Sequence, residues 1–217
     1  MESPAPATHD EASYERLIFF SDAVMAIAIT LLAIDIRVPP IEDPALLGPA
    51  ILDLLPQITI YAFSFVLAAS FWYGHHRLFR LIQRYDDRLL WLNVLFLTGV
   101  AFLPVPSAVL GGHGPELPAV LFFAACYIFI GLAELVLWRY AAFQHRLINP
   151  DVPPRVIRYI SLRLFVPTAV FAVSMLMALF SPLGAMLSWV SVFILFALLE
   201  RWRRRAVAQA NKPGAMD

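Results

Sequence analysis

Apolar runs long enough to cross a bilayer recur along this chain of 217 residues, at roughly 17–36, 51–72, 89–110, 117–138, 160–180 and 183–199. A helix crosses ~30 Å of hydrocarbon in about 20 residues. Hydrocarbon offers no water to satisfy an open backbone, so each run must close its hydrogen bonds within itself as a helix. The expected fold is therefore an all-α membrane protein with six transmembrane helices per subunit. Composition agrees: 60% of residues are hydrophobic and 15% charged, whereas apolar usage in soluble domains runs near ~45–50%. Proline marks most joins, at Pro39-Pro40, Pro115, Pro118, Pro150 and Pro153-Pro154. Ser181-Pro182 leaves room only for a tight hairpin between the fifth and sixth runs, and Pro167 is expected to kink the fifth. No internal repeat, strand pattern or second domain is visible.

The basic residues fix the expected orientation. Arg16 precedes the first run; Arg77, Arg80, Arg84 and Arg88 follow the second; Arg139, Arg146, Arg155, Arg158 and Arg163 follow the fourth. The tail adds Arg201, Arg203, Arg204, Arg205 and Lys212, and Arg37 alone falls on the other side. Cytoplasmic loops carry the lysine and arginine excess, so both termini are expected in the cytoplasm of a multi-pass cell-membrane protein. The expected organisation is a cytoplasmic segment at 1–15, a six-helix domain at 16–200 and a basic cytoplasmic tail at 201–217. Residues 1–15 are polar and acidic without the basic start of a signal peptide. The opposite loops carry Glu42, Asp43, Asp53 and Glu116. These acids either concentrate cations or simply keep the loops soluble.

Absences narrow the function. The sequence contains no Walker loop, dinucleotide turn, CxxC, HExxH or nucleophile elbow, so no enzyme, cofactor, fixed metal or nucleic-acid partner is expected. One cysteine, Cys126, excludes an intrachain disulfide. His75 and His76 are adjacent, hence ~100° apart on a helix, and cannot chelate one ion together. A carbonyl-lined filter of the TVGYG kind is missing as well. The run at 201–205, RWRRR, reads either as a topogenic flank or as a ligand for anionic lipid head groups.

The first run, "RLIFFSDAVMAIAITLLAIDI" at 16–36, carries groups that hydrocarbon penalises. Ile27, Thr30, Leu31 and Ile34 follow the i, i+3, i+4, i+7 spacing and share one stripe. Asp22 falls roughly 130° from that stripe and faces different surroundings. A lipid-facing acid costs ~2.5–3.5 kcal/mol or more, so Asp22 is expected to meet another helix. "SFWYGHHRLF" offers Trp72, His75 and His76 at matching depth, with Arg16 at the same boundary. A buried Asp22–His75–Arg16 cluster is expected, serving either as a structural lock or in gating.

The same residues carry a family resemblance. Arg16-x-x-x-Phe20-Ser21-Asp22 followed by "AVMAIAITLLAIDI" resembles the first-helix signature of the transmembrane protein 175 family. Ser64-Phe65 through Trp72-x-x-His75-His76, and "LLWLNVLFLTGVAFLPVPSAVL" at 89–110, agree with it. The resemblance implies a potassium-permeable channel of the single-repeat prokaryotic kind, a homotetramer whose first helices line the pore. Carried over by position, the constriction is Ile27, Leu31 and Ile34, the hydroxyl layer is Thr30, and the Arg, Asp and His network is Arg16, Asp22 and His75. Phe20, Ser21 and Trp72 belong to the motifs around that network. Ile27 and Ile34 depart mildly, standing where several prokaryotic members have leucine. The implied partners are further copies of the chain, membrane lipids and potassium ions in transit. The alternative is a secondary transporter coupling a solute or cation to protons, with Glu134 as a relay residue unless it pairs with a basic neighbour. Transporters favour internal repeats and broken helices, and the first run contains neither Gly nor Pro.

Overall fold

The computed structural model describes residues 9–38, 40 and 42–210. It is a helical bundle, and most of its helices begin where the sequence supplies a cap or a proline. The helices are α1 His9–Leu31, α2 Leu47–Asp53, α3 Leu55–Phe79, α4 Asp87–Ala101, α5 Pro104–His113, α6 Leu117–Ala142, α7 Pro154–Ala178, α8 Pro182–Ser188 and α9 Ser191–Ala210. Proline occupies the first turn of α3, α5, α6, α7 and α8, where its missing N–H would have had no intrahelical partner. Asp86 caps α4 by accepting from Leu89 N at 2.9 Å, and Ser181 caps α8 by accepting from Gly184 N at 3.1 Å.

Among the described residues, five helical runs are long and apolar enough to cross a membrane: Leu55–Phe79, Asp87–His113, Leu117–His145, Pro154–Ala178 and Pro182–Arg205. The second run is displaced from its expected place at 51–72, because Pro56 opens α3 and residues 51–53 belong to α2. The third run is two stacked helices rather than one. Pro104 lacks the donor that would continue α4, and its ring opposes the carbonyl four residues earlier. The chain accordingly breaks at Phe102-Leu103. The sixth run also breaks, at Trp189-Val190, before α9 continues through Arg201 to Arg205 as unbroken helix. The Ser181-Pro182 hairpin forms as expected. α1, 23 residues long, carries Glu15, Arg16 and Asp22 and is not among the five.

Close approach of α6 to its neighbours depends on glycine. A Cβ on Gly131 would collide with Thr168 Oγ1 of α7, and one on Gly99 of α4 would lie 2.8 Å from Ile130 of α6. Around these contacts Phe123, Tyr127, Phe171 and Trp189 interleave, with centroids 4.9 Å apart for Phe123–Trp189 and 5.0 Å for Tyr127–Phe171. Trp189 Nε1 donates to Ser174 Oγ at 2.7 Å, so the indole is satisfied inside the core.

The two arginine-rich loops meet at one end of the bundle. Gln83 N donates to Leu147 O at 2.9 Å and Asn149 N to Leu81 O at 3.1 Å, making an isolated antiparallel bridge of Ile82 with Ile148. Tyr14 of α1 donates to the carbonyls of Phe79 and Ile82 at 2.7 and 3.0 Å. Asp86 accepts from Tyr140 Oη at 2.6 Å and from Arg146 at 3.4 Å. Burial works to raise the Asp86 carboxyl, but the bonds from Tyr140, Leu89 N and Arg146 outweigh it and hold it below the usual carboxylate range.

Candidate functional site

α1 divides into two faces. Met25 and Ala28 are 1% and 2% exposed, with Leu32 of the following turn at 5%, and all three enter the main core. Ile27, Leu31 and Ile34 are 59%, 39% and 55% exposed. Ile34 lies past the helix proper, where Ile34 N donates to Leu31 O at 3.0 Å and carries the turn one step further. Phe20 and Arg16 are exposed on the same side. Thr30 is exposed too, and its hydroxyl donates to Ile27 O at 2.8 Å. With its proton committed to the backbone, Thr30 presents oxygen lone pairs outward, which suits a cation and not an anion. Ile29 is half-buried against the core, away from this stripe.

The opposite side of α1 is anchored by two separate polar contacts. Asp22 accepts from Trp72 Nε1 of α3 at 2.9 Å. A hydrogen bond to a charged group contributes ~1.5–3 kcal/mol, comparable with the ~2.5–3.5 kcal/mol that a carboxylate costs in the membrane. Ser21, adjacent in sequence and therefore rotated by ~100°, reaches α4 instead. Asn93 Nδ2 donates to Ser21 Oγ at 2.8 Å, and Ser21 donates on to Leu17 O at 2.9 Å. Asn93 Oδ1 in turn faces His75 Nε2 at 2.8 Å. Since the amide oxygen only accepts, the imidazole is the donor in this pairing. His75 is sandwiched between Phe79 and Phe96, at centroid distances of 4.3 and 5.3 Å. His76 points elsewhere and stacks on Trp72 at 5.8 Å.

The arrangement differs from a compact Asp22–His75–Arg16 cluster. Asp22 acts on His75 through space without a hydrogen bond between them. Arg16 joins neither contact, and among the described residues it makes no ion pair. The reason is helical geometry: six residues separate Arg16 from Asp22, a rotation of about 120°. Arg16 therefore shares the exposed stripe. Asn93 was not singled out from the sequence, although an amide in the apolar run 89–110 is itself a signal. Beyond α1, Asp35 borders a cavity of about 170 Å³ shared with Gln57, Tyr61 and Ser107. Ser107 donates to Ser64 at 3.0 Å, fastening α5 to α3 below it. Among the described residues, no group of three or more His, Cys, Asp or Glu is placed to hold a metal.

Comparison with known proteins converges on the same helices. The family described as "Endosomal/lysosomal potassium channel TMEM175" matches residues 16–104. A potassium channel of Streptomyces collinus is 37% identical over 141 residues, covering 63% of this chain and 68% of the relative. The chain belongs to the TMEM175 family. A potassium channel of Chamaesiphon minutus is 34% identical over 144 residues, covering 64% of this chain and 71% of the relative. The crystal structure of a lysosomal potassium-selective channel TMEM175 homolog from Chamaesiphon minutus superposes with a TM-score of 0.75 at 28% identity, over 86% of this chain and 97% of that one. The TMEM175 match contains every residue of the α1 stripe and of both anchoring contacts, and its description is that of an ion channel rather than an enzyme. With five apolar spans, this TMEM175 member is a multi-pass membrane protein.

Proposed function

We propose that the chain forms a potassium-permeable cation channel in which α1 crosses the membrane as a sixth span and four copies of it surround one conducting path. The observation that carries this reading is the exposed face of α1. α1 is the long helix too rich in charge to meet the composition of a span, yet one whole side of it lies uncovered in the single subunit. Lipid tolerates Leu162 or Leu176 on α7, but not Arg16 and Thr30 along one stripe. Further copies of the chain resolve the conflict, because a closed ring turns that side away from lipid. Ile27, Leu31 and Ile34 then form the constriction, a ring able to exclude water, and Thr30 supplies oxygens to a partly dehydrated ion. Ser21, Asp22, Trp72, His75 and Asn93 hold α1 at its angle, while Arg16 and Phe20 lie at the inner mouth. The basic end of the bundle, with both termini, faces the cytoplasm.

Membership of a family described as a potassium channel supports conduction. The breaks in the third and sixth spans give the transporter reading no support. They fall at Phe102-Leu103 and Trp189-Val190, where the side chains are apolar and the carbonyls already accept from the backbone N–H groups of Val105, Ser107, Val192 and Phe193. Flux from vesicles loaded with potassium, sodium or protons is the direct test. Electrogenic potassium flux that follows its own gradient is expected, and flux that needs a second co-transported solute would overturn the reading.

A further inference from the structure

A groove between α6 and α7 has the layout of a phospholipid. Leu135 and Arg139 stand at i and i+4 on α6, and Arg158, Ser161, Leu162 and Phe165 line the facing stripe of α7. Together they line an open groove of about 370 Å³. α6 ends at Ala142 and α7 begins at Pro154, so Arg139 and Arg158 both sit about one helical turn from the basic end, at matching depth. Leu162 and Phe165 lie deeper and are exposed.

Both guanidinium groups are free of carboxylates. Among the described residues neither Arg139 nor Arg158 makes an ion pair or a hydrogen bond. Asp86 is taken by Arg146 and Glu200 by Arg203 and Arg204, while Glu134 of α6 is buried beside Gly74 of α3 and does not line the groove. Ser161 is committed as well: it accepts from Trp138 Nε1 at 3.1 Å and donates to Ile157 O at 2.9 Å. The groove thus presents two unpaired positive charges above an apolar floor. Other arginines nearby are already engaged on rings, as Arg163 is over Phe196 at 4.4 Å and Arg146 over Tyr140 at 4.8 Å.

The geometry points to a binding site for an anionic phospholipid, with its phosphate between Arg139 and Arg158 and an acyl chain along Leu135, Leu162 and Phe165. A free phosphate would leave the apolar floor uncovered. A neighbouring protein would have to bring a carboxylate to the same depth. A lipid supplies both parts in one molecule, and basic pockets between helices at this boundary suit such head groups. The site is independent of the conducting path, so its failure leaves the channel reading untouched.

The test is native mass spectrometry of the intact assembly in neutral detergent, titrated with phosphatidylglycerol, with phosphatidylcholine of the same acyl chains, and with inorganic phosphate. Phosphatidylglycerol is expected to bind in preference. Arg139→Gln with Arg158→Gln should weaken it by about tenfold or more, Arg139→Lys with Arg158→Lys should retain most of it, and Arg201→Gln should leave it unchanged. Equal binding of the two lipids would overturn the proposal. So would displacement of phosphatidylglycerol by inorganic phosphate, or loss of the assembly in the glutamine pair with lipid binding intact.

Discussion

Asn93 links three helices through one amide, accepting from His75 of α3 and donating to Ser21 of α1. Asn93→Ala strands the His75 donor in a buried site, which costs ~1–3 kcal/mol. The variant should unfold at lower temperature in detergent. A double-mutant cycle is sharper. His75→Ala and Asn93→Ala should couple by ~0.5–3 kcal/mol, more strongly than His75→Ala with Asp22→Ala, which share no hydrogen bond. The opposite order of coupling would refute the assigned network. Asp86 makes a separate prediction, about pH. Its folded carboxyl is held below the usual range, so its contribution is complete above the unfolded value of ~3.9. That contribution is lost as pH falls through the depressed folded value. Asp86→Asn should lower thermal stability at neutral pH, and the gap to the parent should close on acidification below about pH 4. A gap that persists in acid would show that the cap, not the charge, carries the effect.

At the scale of the helix, α1 combines a buried side set by Met25 and Ala28 with an exposed side set by Ile27 and Leu31. Shortening Ile27 to alanine should widen and hydrate the constriction, raising conductance and weakening discrimination against sodium. Thr30→Val keeps the shape and removes the oxygen. One neutral polar contact contributes ~1 kcal/mol, so discrimination should fall by about fivefold. Ile29→Ala is the control, because Ile29 packs against the core. Permeability ratios measured in planar bilayers decide the matter: a change with Ile29→Ala and none with the other two would mean α1 is wrongly oriented. The stripe was legible beforehand because 3.6-residue periodicity depends only on spacing. Arg16 and Asp22 agree in depth but not in angle, and the arithmetic that aligns the stripe also separates them. The break of the third run at Pro104 follows from proline chemistry too. What hid it was an uninterrupted apolar pattern that spans both pieces.

For the whole molecule, the single subunit leaves one side of α1 uncovered, and the proposed assembly rests on that. Mass measurement of the purified protein in mild detergent should give four copies. A stable monomer that still conducts would sink the proposed ring. Flux and mass should also fail together in variants that disrupt the α1 face, since one surface serves both.

Hydropathy, proline placement and arginine distribution determined by themselves a helical membrane chain, its joins and the clustering of basic loops, because each depends on local composition alone. The motif from Arg16 to Asp22 carried the family as well. Tertiary structure alone decided the rest. Ser21 and Asp22 are neighbours in sequence, yet they serve α4 and α3 separately. The pairing of Ile82 with Ile148, and of Asp86 with Tyr140 and Arg146, joins residues more than fifty positions apart. Partner choice of this kind depends on which helix faces lie side by side, and that is set by packing constraints such as Gly131 against Thr168 rather than by any periodicity along the chain.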